Sequence, residues 1–123
     1  MKIGFDLDGT LDRPVIAQMA NMYFDAGFEV HVITVCQLAQ AGYITSKADK
    51  IKKLEKLGVR YTKLHLVRGA TYSECGVAKA DVINKEGIVL MFDDAPTFVK
   101  MITKFAPTCV VLEVQPDETG RRS

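Results

Sequence analysis

Five short apolar runs punctuate this chain: Lys2 to Leu7, Glu29 to Val35, Tyr61 to Val67, Ile88 to Phe92 and Cys109 to Val114. Between them the apolar residues recur at helical spacing. Val15, Ile16, Met19, Met22 and Tyr23 mark a helix from Pro14 to Ala26. Pro14 suits its first turn and Gly27 its end. Thr45 or Ser46 caps a second helix that runs to Leu57, with Ile51, Leu54 and Leu57 on one face and Gly58 as its stop. Helical signals resume from Ser73 to Lys85, closed by Gly87, and again from Pro96 to Phe105. Lys47, Lys50, Lys52, Lys53 and Lys56 on the second helix read as a solvated face.

Strands that alternate with helices, and that are apolar throughout, belong to a parallel sheet covered on both faces. Right-handed crossovers then give an α/β fold: a three-layer α/β/α, Rossmann-like parallel sheet of about five strands. One domain over residues 1–114 accounts for the pattern, and residues 115–123 form a polar tail. Sheets of this kind bind ligands beyond the carboxyl ends of their strands. Asp6 and Asp8, Thr34, and Asp93 and Asp94 all fall at such ends, so three strands aim polar groups at one edge of the sheet.

Composition narrows the function classes. With 48% hydrophobic and 25% charged residues, the 123-residue chain is that of an ordinary globular domain. A net charge of +1 supports neither a nucleic-acid partner nor an anionic membrane, although it does not exclude a nucleic-acid end as substrate. No apolar stretch approaches the roughly 20 residues of a membrane span. The first residues lack the plan of a signal peptide, and three scattered cysteines, Cys36, Cys75 and Cys109, suit packing in a reducing compartment. A cytoplasmic location is the expectation.

The candidate chemistry starts at Phe5-Asp6-Leu7-Asp8-Gly9-Thr10-Leu11. Two carboxylates two residues apart, at a strand end broken by glycine, invite a cation between them or a proton on one of them. This string resembles the first motif of the haloacid-dehalogenase-like phosphatase superfamily, and later positions extend the resemblance to about Val114. In that family the first aspartate is a nucleophile that becomes phosphorylated. The second is the general acid/base, and its backbone carbonyl helps to bind Mg²⁺.

The resemblance implies a role for each matching residue. Asp6 is the nucleophile and Asp8 the acid/base. Thr34, at the end of Val30-His31-Val32-Ile33-Thr34, matches a phosphate-binding threonine. Lys79 matches a lysine at the start of a helix that steadies nucleophile and phosphate, with Lys85 and Lys47 as rivals. Met91-Phe92-Asp93-Asp94 resembles the acidic motif that completes the Mg²⁺ site. Asp94 is then the direct ligand and Asp93 its support, beside Asp6 and Asp8. Gly9 and Thr10 are expected to meet the substrate. His31 and His65 are not at metal-ligand spacing and read as core or edge residues. Asp12 and Arg13 are either substrate contacts or loop charges.

Larger members of that family carry a cap domain, for which this chain has no room. Water exclusion must then come from a second copy, from short loops or from a bulky substrate. Self-association is the expectation, and Tyr43, in the loop from Gln37 to Thr45, is the obvious contact residue. The leading reading is a Mg²⁺-dependent phosphomonoesterase that acts on a small phosphorylated substrate through an aspartyl-phosphate on Asp6. Its rivals are a nucleotide or nucleic-acid end phosphatase and a non-catalytic phosphate-binding module on the same fold.

Overall fold

The computed structural model describes residues 1–115. Its strands are β1 (Lys2–Phe5), β2 (Glu29–Leu38), β3 (Tyr43–Ile44), β4 (Lys63–Gly69), β5 (Leu90–Asp93) and β6 (Val110–Glu113). The helices are α1 (Pro14–Asp25), α2 (Lys47–Leu57), α3 (Tyr72–Glu86) and α4 (Pro96–Phe105). Beyond Gln115, the expected polar tail lies outside the described residues.

β4, β2, β1, β5 and β6 lie side by side and parallel, with Phe5 registered on Val32 in one neighbour and on Phe92 in the other. The sequence does not announce a sixth strand. β2 runs three residues beyond the expected Val35, through a bulge between Val35 and Gln37, and there pairs with β3 antiparallel. Gln37 and Leu38 contact β4 on one side, so β3 takes the other side, above the carboxyl end of β1. What the sequence suggests is a loop is thus a hairpin leaning over the sheet edge. Its turn is closed by Gly42 at φ 63°.

Two apolar layers hold the helices. On one face Ile16, Ala17 and Ala20 of α1 and Leu54 of α2 pack on Ile3, Phe5, Val30 and Val32. On the other, Cys75, Ala80 and Ile83 of α3 and Phe98 and Ile102 of α4 pack on Ile33, Val67 and Met91. These positions follow the strand period of two, which sends neighbouring residues to opposite faces. The thiols of Cys36, Cys75 and Cys109 are free and buried, and burial pushes that of Cys109 up to about 11. No helix among the described residues is long and apolar enough to cross a membrane.

Local capping sets the helix starts. The Ser46 hydroxyl accepts from the Asp49 amide at the head of α2, and Thr71 accepts from Glu74 at the head of α3. Gly76 lets α3 approach α4: a Cβ there would lie 2.7 Å from the Cβ of Met101. Gly76→Leu is therefore expected to lower stability by about 1–3 kcal/mol through overpacking. Urea denaturation measures the effect, and an unchanged midpoint would contradict this packing.

Candidate active site

The site is assembled by the adjacency of β1 and β5. The Asp6 amide donates to the Phe92 carbonyl at 2.9 Å, so the end of β1 stays laddered to β5 and Asp6 comes beside Asp93 and Asp94. Carboxylate oxygens of all three lie within 4.8 Å of one another, and all three residues are buried. α3 supplies the balancing charge. The fully buried Lys79 ammonium donates to Asp6 Oδ1 at 2.9 Å and to Asp93 Oδ2 at 2.7 Å. Its other neighbour is the Phe98 ring, whose centroid is 4.4 Å away.

Lys79 lies in the middle of α3, not at a helix start as the resemblance implies. From there it reaches both motif strands. Lys47 and Lys85 are exposed and have no part in this cluster.

Electrostatics in this pocket are severe. Burial pushes the Asp6 carboxyl well above its ordinary 3.8, the charge of Asp93 adds to this, and Lys79 opposes it. Burial would lower the Lys79 ammonium, but Asp6 and Asp93 outweigh it and hold Lys79 above its ordinary 10.5. Lys79 is therefore a fixed cation. Asp6 and Asp93 share this one ammonium, so the pair carries a formal excess of one negative charge, which a protonated Asp6 relieves and a divalent cation would offset. Asp93 is partly committed elsewhere, since its Oδ1 accepts from the Ala95 amide at 3.1 Å at the head of α4.

Gly9 opens room for this group. It sits at φ 82°, and a Cβ there would lie 2.3 Å from Asp94 Oδ2. Only glycine combines that backbone with that approach. Thr10, fully buried, places Oγ1 3.4 Å from both Asp6 Oδ2 and Asp94 Oδ1. One hydroxyl proton cannot serve both acceptors, so Thr10 marks the seam between the carboxylates. Asp12, expected as a substrate contact or a loop charge, accepts from the Gly9 amide at 2.8 Å and so pins the turn.

Asp8 is the main departure. The turn from Leu7 to Leu11 rotates its side chain away from the other acids and toward α2. There Lys50 Nζ donates to Oδ2 at 2.5 Å and Lys53 Nζ to Oδ1 at 2.6 Å. Partial burial would raise the Asp8 carboxyl, but the two lysines hold it below 3.8. Lys50 is not part of a solvated face: it is 3% exposed and also donates to the Tyr43 hydroxyl at 2.9 Å. The signal was present in its phase, because Lys50, Leu54 and Leu57 follow one another at helical spacing on one face. Thr34 also differs from expectation. β2 continues past it, and its buried Oγ1 has no hydrogen-bond partner.

Asp6, Asp8 and Asp94 form the polar floor of a cavity of about 340 Å³. Its walls are Val35, Leu38, Tyr43, Tyr72 and Phe98, contributed by β2, the hairpin, α3 and α4. It is a small open chamber with carboxylates at its base and apolar or aromatic sides.

No family model matches the sequence, and no curated protein does. Solved structures do match in fold. D,D-heptose 1,7-bisphosphate phosphatase from B. bronchiseptica, complexed with magnesium and phosphate, superposes with a TM-score of 0.62 at 18% identity, covering 94% of this chain and 81% of its own. A member of the universal stress protein family from Burkholderia pseudomallei superposes with a TM-score of 0.55 at 16% identity, covering 92% and 94%. At these identities the likeness speaks for the fold alone: the chain has the expected three-layer α/β/α architecture on a mainly parallel sheet.

Proposed function

We propose that this protein is a Mg²⁺-dependent phosphomonoesterase with Asp6 as nucleophile. The observation that carries the reading is the convergence of the buried carboxylates of Asp6, Asp93 and Asp94, the first two bound to Lys79, at the base of an open cavity. The donor set suits a hard divalent ion, since it offers carboxylate oxygens alone. Asp6 and Asp94 would hold Mg²⁺, with Asp93 in support. When bound, the ion would neutralise phosphate oxygens and the developing charge of phosphoryl transfer. The magnesium and phosphate of the heptose bisphosphate phosphatase are consistent with such a site on this fold.

The chain's own residues divide the remaining work. In the first half-reaction an Asp6 oxygen attacks phosphorus, the bond to the ester oxygen breaks, and that oxygen takes a proton from Asp8. In the second half Asp8 accepts a proton from water as the water attacks the aspartyl-phosphate, which frees Asp6 and inorganic phosphate. Lys79 holds the Asp6 carboxylate by one oxygen and leaves the other for attack. The apolar and aromatic walls favour a small ester whose leaving group has an apolar or flat portion.

Asp8 as arranged is ionised, the state needed for the second half and not for the first. Its engagement with Lys50 and Lys53 would have to loosen for it to act as an acid. The demand is greatest when the leaving group is poor.

Asp6→Asn is expected to reduce hydrolysis of 4-nitrophenyl phosphate on the order of a thousandfold or more while the fold persists by circular dichroism. Undiminished turnover would sink the mechanism. Lys53→Met should raise the Asp8 carboxyl and increase kcat for alkyl phosphates relative to aryl phosphates. An unchanged ratio would mean that Asp8 does not donate the proton.

Magnesium should also stabilise the fold in a pH-dependent way. The folded state holds a proton on Asp6 more tightly than the unfolded chain does. That contribution is complete below about 3.8 and is lost as pH rises through the raised folded value. Mg²⁺ requires the ionised form, so its stabilising effect should grow with pH and reach about 2.7 kcal/mol at a hundredfold excess over Kd. Thermal melts at pH 5 and pH 8, with and without Mg²⁺, measure this, and Asp94→Asn should abolish the difference.

A further inference from the structure

A second cluster of metal-ligating side chains lies away from the cavity. His31 on β2 and His65 on β4 place Nδ1 and Nε2 2.9 Å apart, and Glu86 at the end of α3 brings Oε1 to 3.9 Å from His31 Nδ1. One ligand atom from each of the three lies within 4.8 Å of the other two. Glu86 follows Lys79 by about two helical turns, roughly 10 Å along α3, so this group is separate from Asp6, Asp93 and Asp94. His31 is fully buried, whereas His65 and Glu86 are partly exposed at the edge strand β4.

We propose that His31, His65 and Glu86 form a site for a borderline transition-metal ion of the Zn²⁺ class. Two imidazole nitrogens and a carboxylate are a donor set for such an ion and a poor one for Mg²⁺. The second coordination sphere is in place as well. Glu29 Oε1 lies 3.0 Å from His31 Nε2 and accepts the proton there, which leaves the Nδ1 lone pair facing His65. A carboxylate that fixes the remote nitrogen of a ligand histidine is the usual partner arrangement at zinc. The adjacent strands β2 and β4 hold both rings on a rigid scaffold.

Without an ion, the His65 Nε2–H donates to His31 Nδ1. On binding, His65 carries its proton on Nδ1 instead, an exchange with solvent that its partial exposure permits, and Nε2 becomes a ligand. The two nitrogens need to part only to about 3.3 Å, the span set by Zn–N bonds of ~2.0–2.1 Å in a tetrahedron. Lys63, which donates to Glu86 Oε1 at 3.0 Å, is more than half exposed and can turn to solvent. Zinc would then clamp the end of α3 to the edge of the sheet.

Asp94→Asn, in which the first site is disabled, is the background for the test. After EDTA treatment and dialysis, this variant is titrated with Zn²⁺ by calorimetry and with Co²⁺ by visible absorption. One equivalent is expected to bind, with the d–d bands of a four-coordinate nitrogen and oxygen site for cobalt. Added His65→Gln should abolish this binding. Added Glu29→Gln, at a residue whose side chain is 44% exposed, should weaken it about 10- to 100-fold with the fold intact. No uptake of Zn²⁺ in the Asp94→Asn background, or unchanged affinity with Glu29→Gln, would overturn the proposal and leave the histidines as a structural hydrogen-bonded pair.

Discussion

The rest of the structure depends on the double contact of Lys79. A fully buried ammonium must find anions, because transferring it from water unaided costs far more than folding can supply. It finds them in Asp6 and Asp93, which stand on adjacent parallel strands far apart in sequence. This contact ties α3 to the sheet at the level where β1 and β5 end. Removing one partner from such a group typically costs about 3–5 kcal/mol, because the remaining charges are stranded. The same contact fixes Asp6 beside Asp94 at the base of the cavity, so a structural requirement also sets the geometry on which the proposed chemistry depends.

Asp8 shows the opposite arrangement. Asp6 is buried and shares its charge with a buried cation, whereas Asp8 is half exposed and held by two lysines from α2. The turn between them converts an alternation that would place both acids on one side into two environments with opposed proton affinities. Paired carboxylates pushed apart in this way are suited to different tasks. The hairpin of β3 joins the two sides, since Tyr43 both lines the cavity and bonds to Lys50. A short extension of one strand thus walls the cavity on that side.

Much of this was legible in the sequence, for a definite reason. In a parallel sheet the strands are buried on both faces, so their apolar runs are plain and their polar ends stand out. Asp6, Asp93 and Asp94 are read correctly as strand-end acids that converge, because topology brings those ends to one edge. The rest escapes through local geometry. The bulge after Val35 breaks the alternation of β2, so the overshoot to Leu38 and the pairing with β3 look like loop. Lys50 is lost among five lysines when they are counted by type instead of by helical phase. His31 and His65 are distant in sequence, and only the parallel register of β2 with β4 brings them into contact.

Fold alone does not choose among functions here. The same architecture superposes on a phosphatase and on a member of the universal stress protein family, with similar coverage of this chain. The distinction has to come from charge. A domain selected only to fold has no reason to bury Asp6 and Asp93 on one lysine with Asp94 beside them, when apolar residues of equal volume are often as stable or more so. Gly9 strengthens the case, because its backbone and its lack of a Cβ serve to clear space beside the Asp94 carboxylate. A turn that only had to reverse the chain would tolerate a side chain pointing to solvent. This one is shaped around a carboxylate that lines the cavity, which is the feature the proposed phosphatase reading requires.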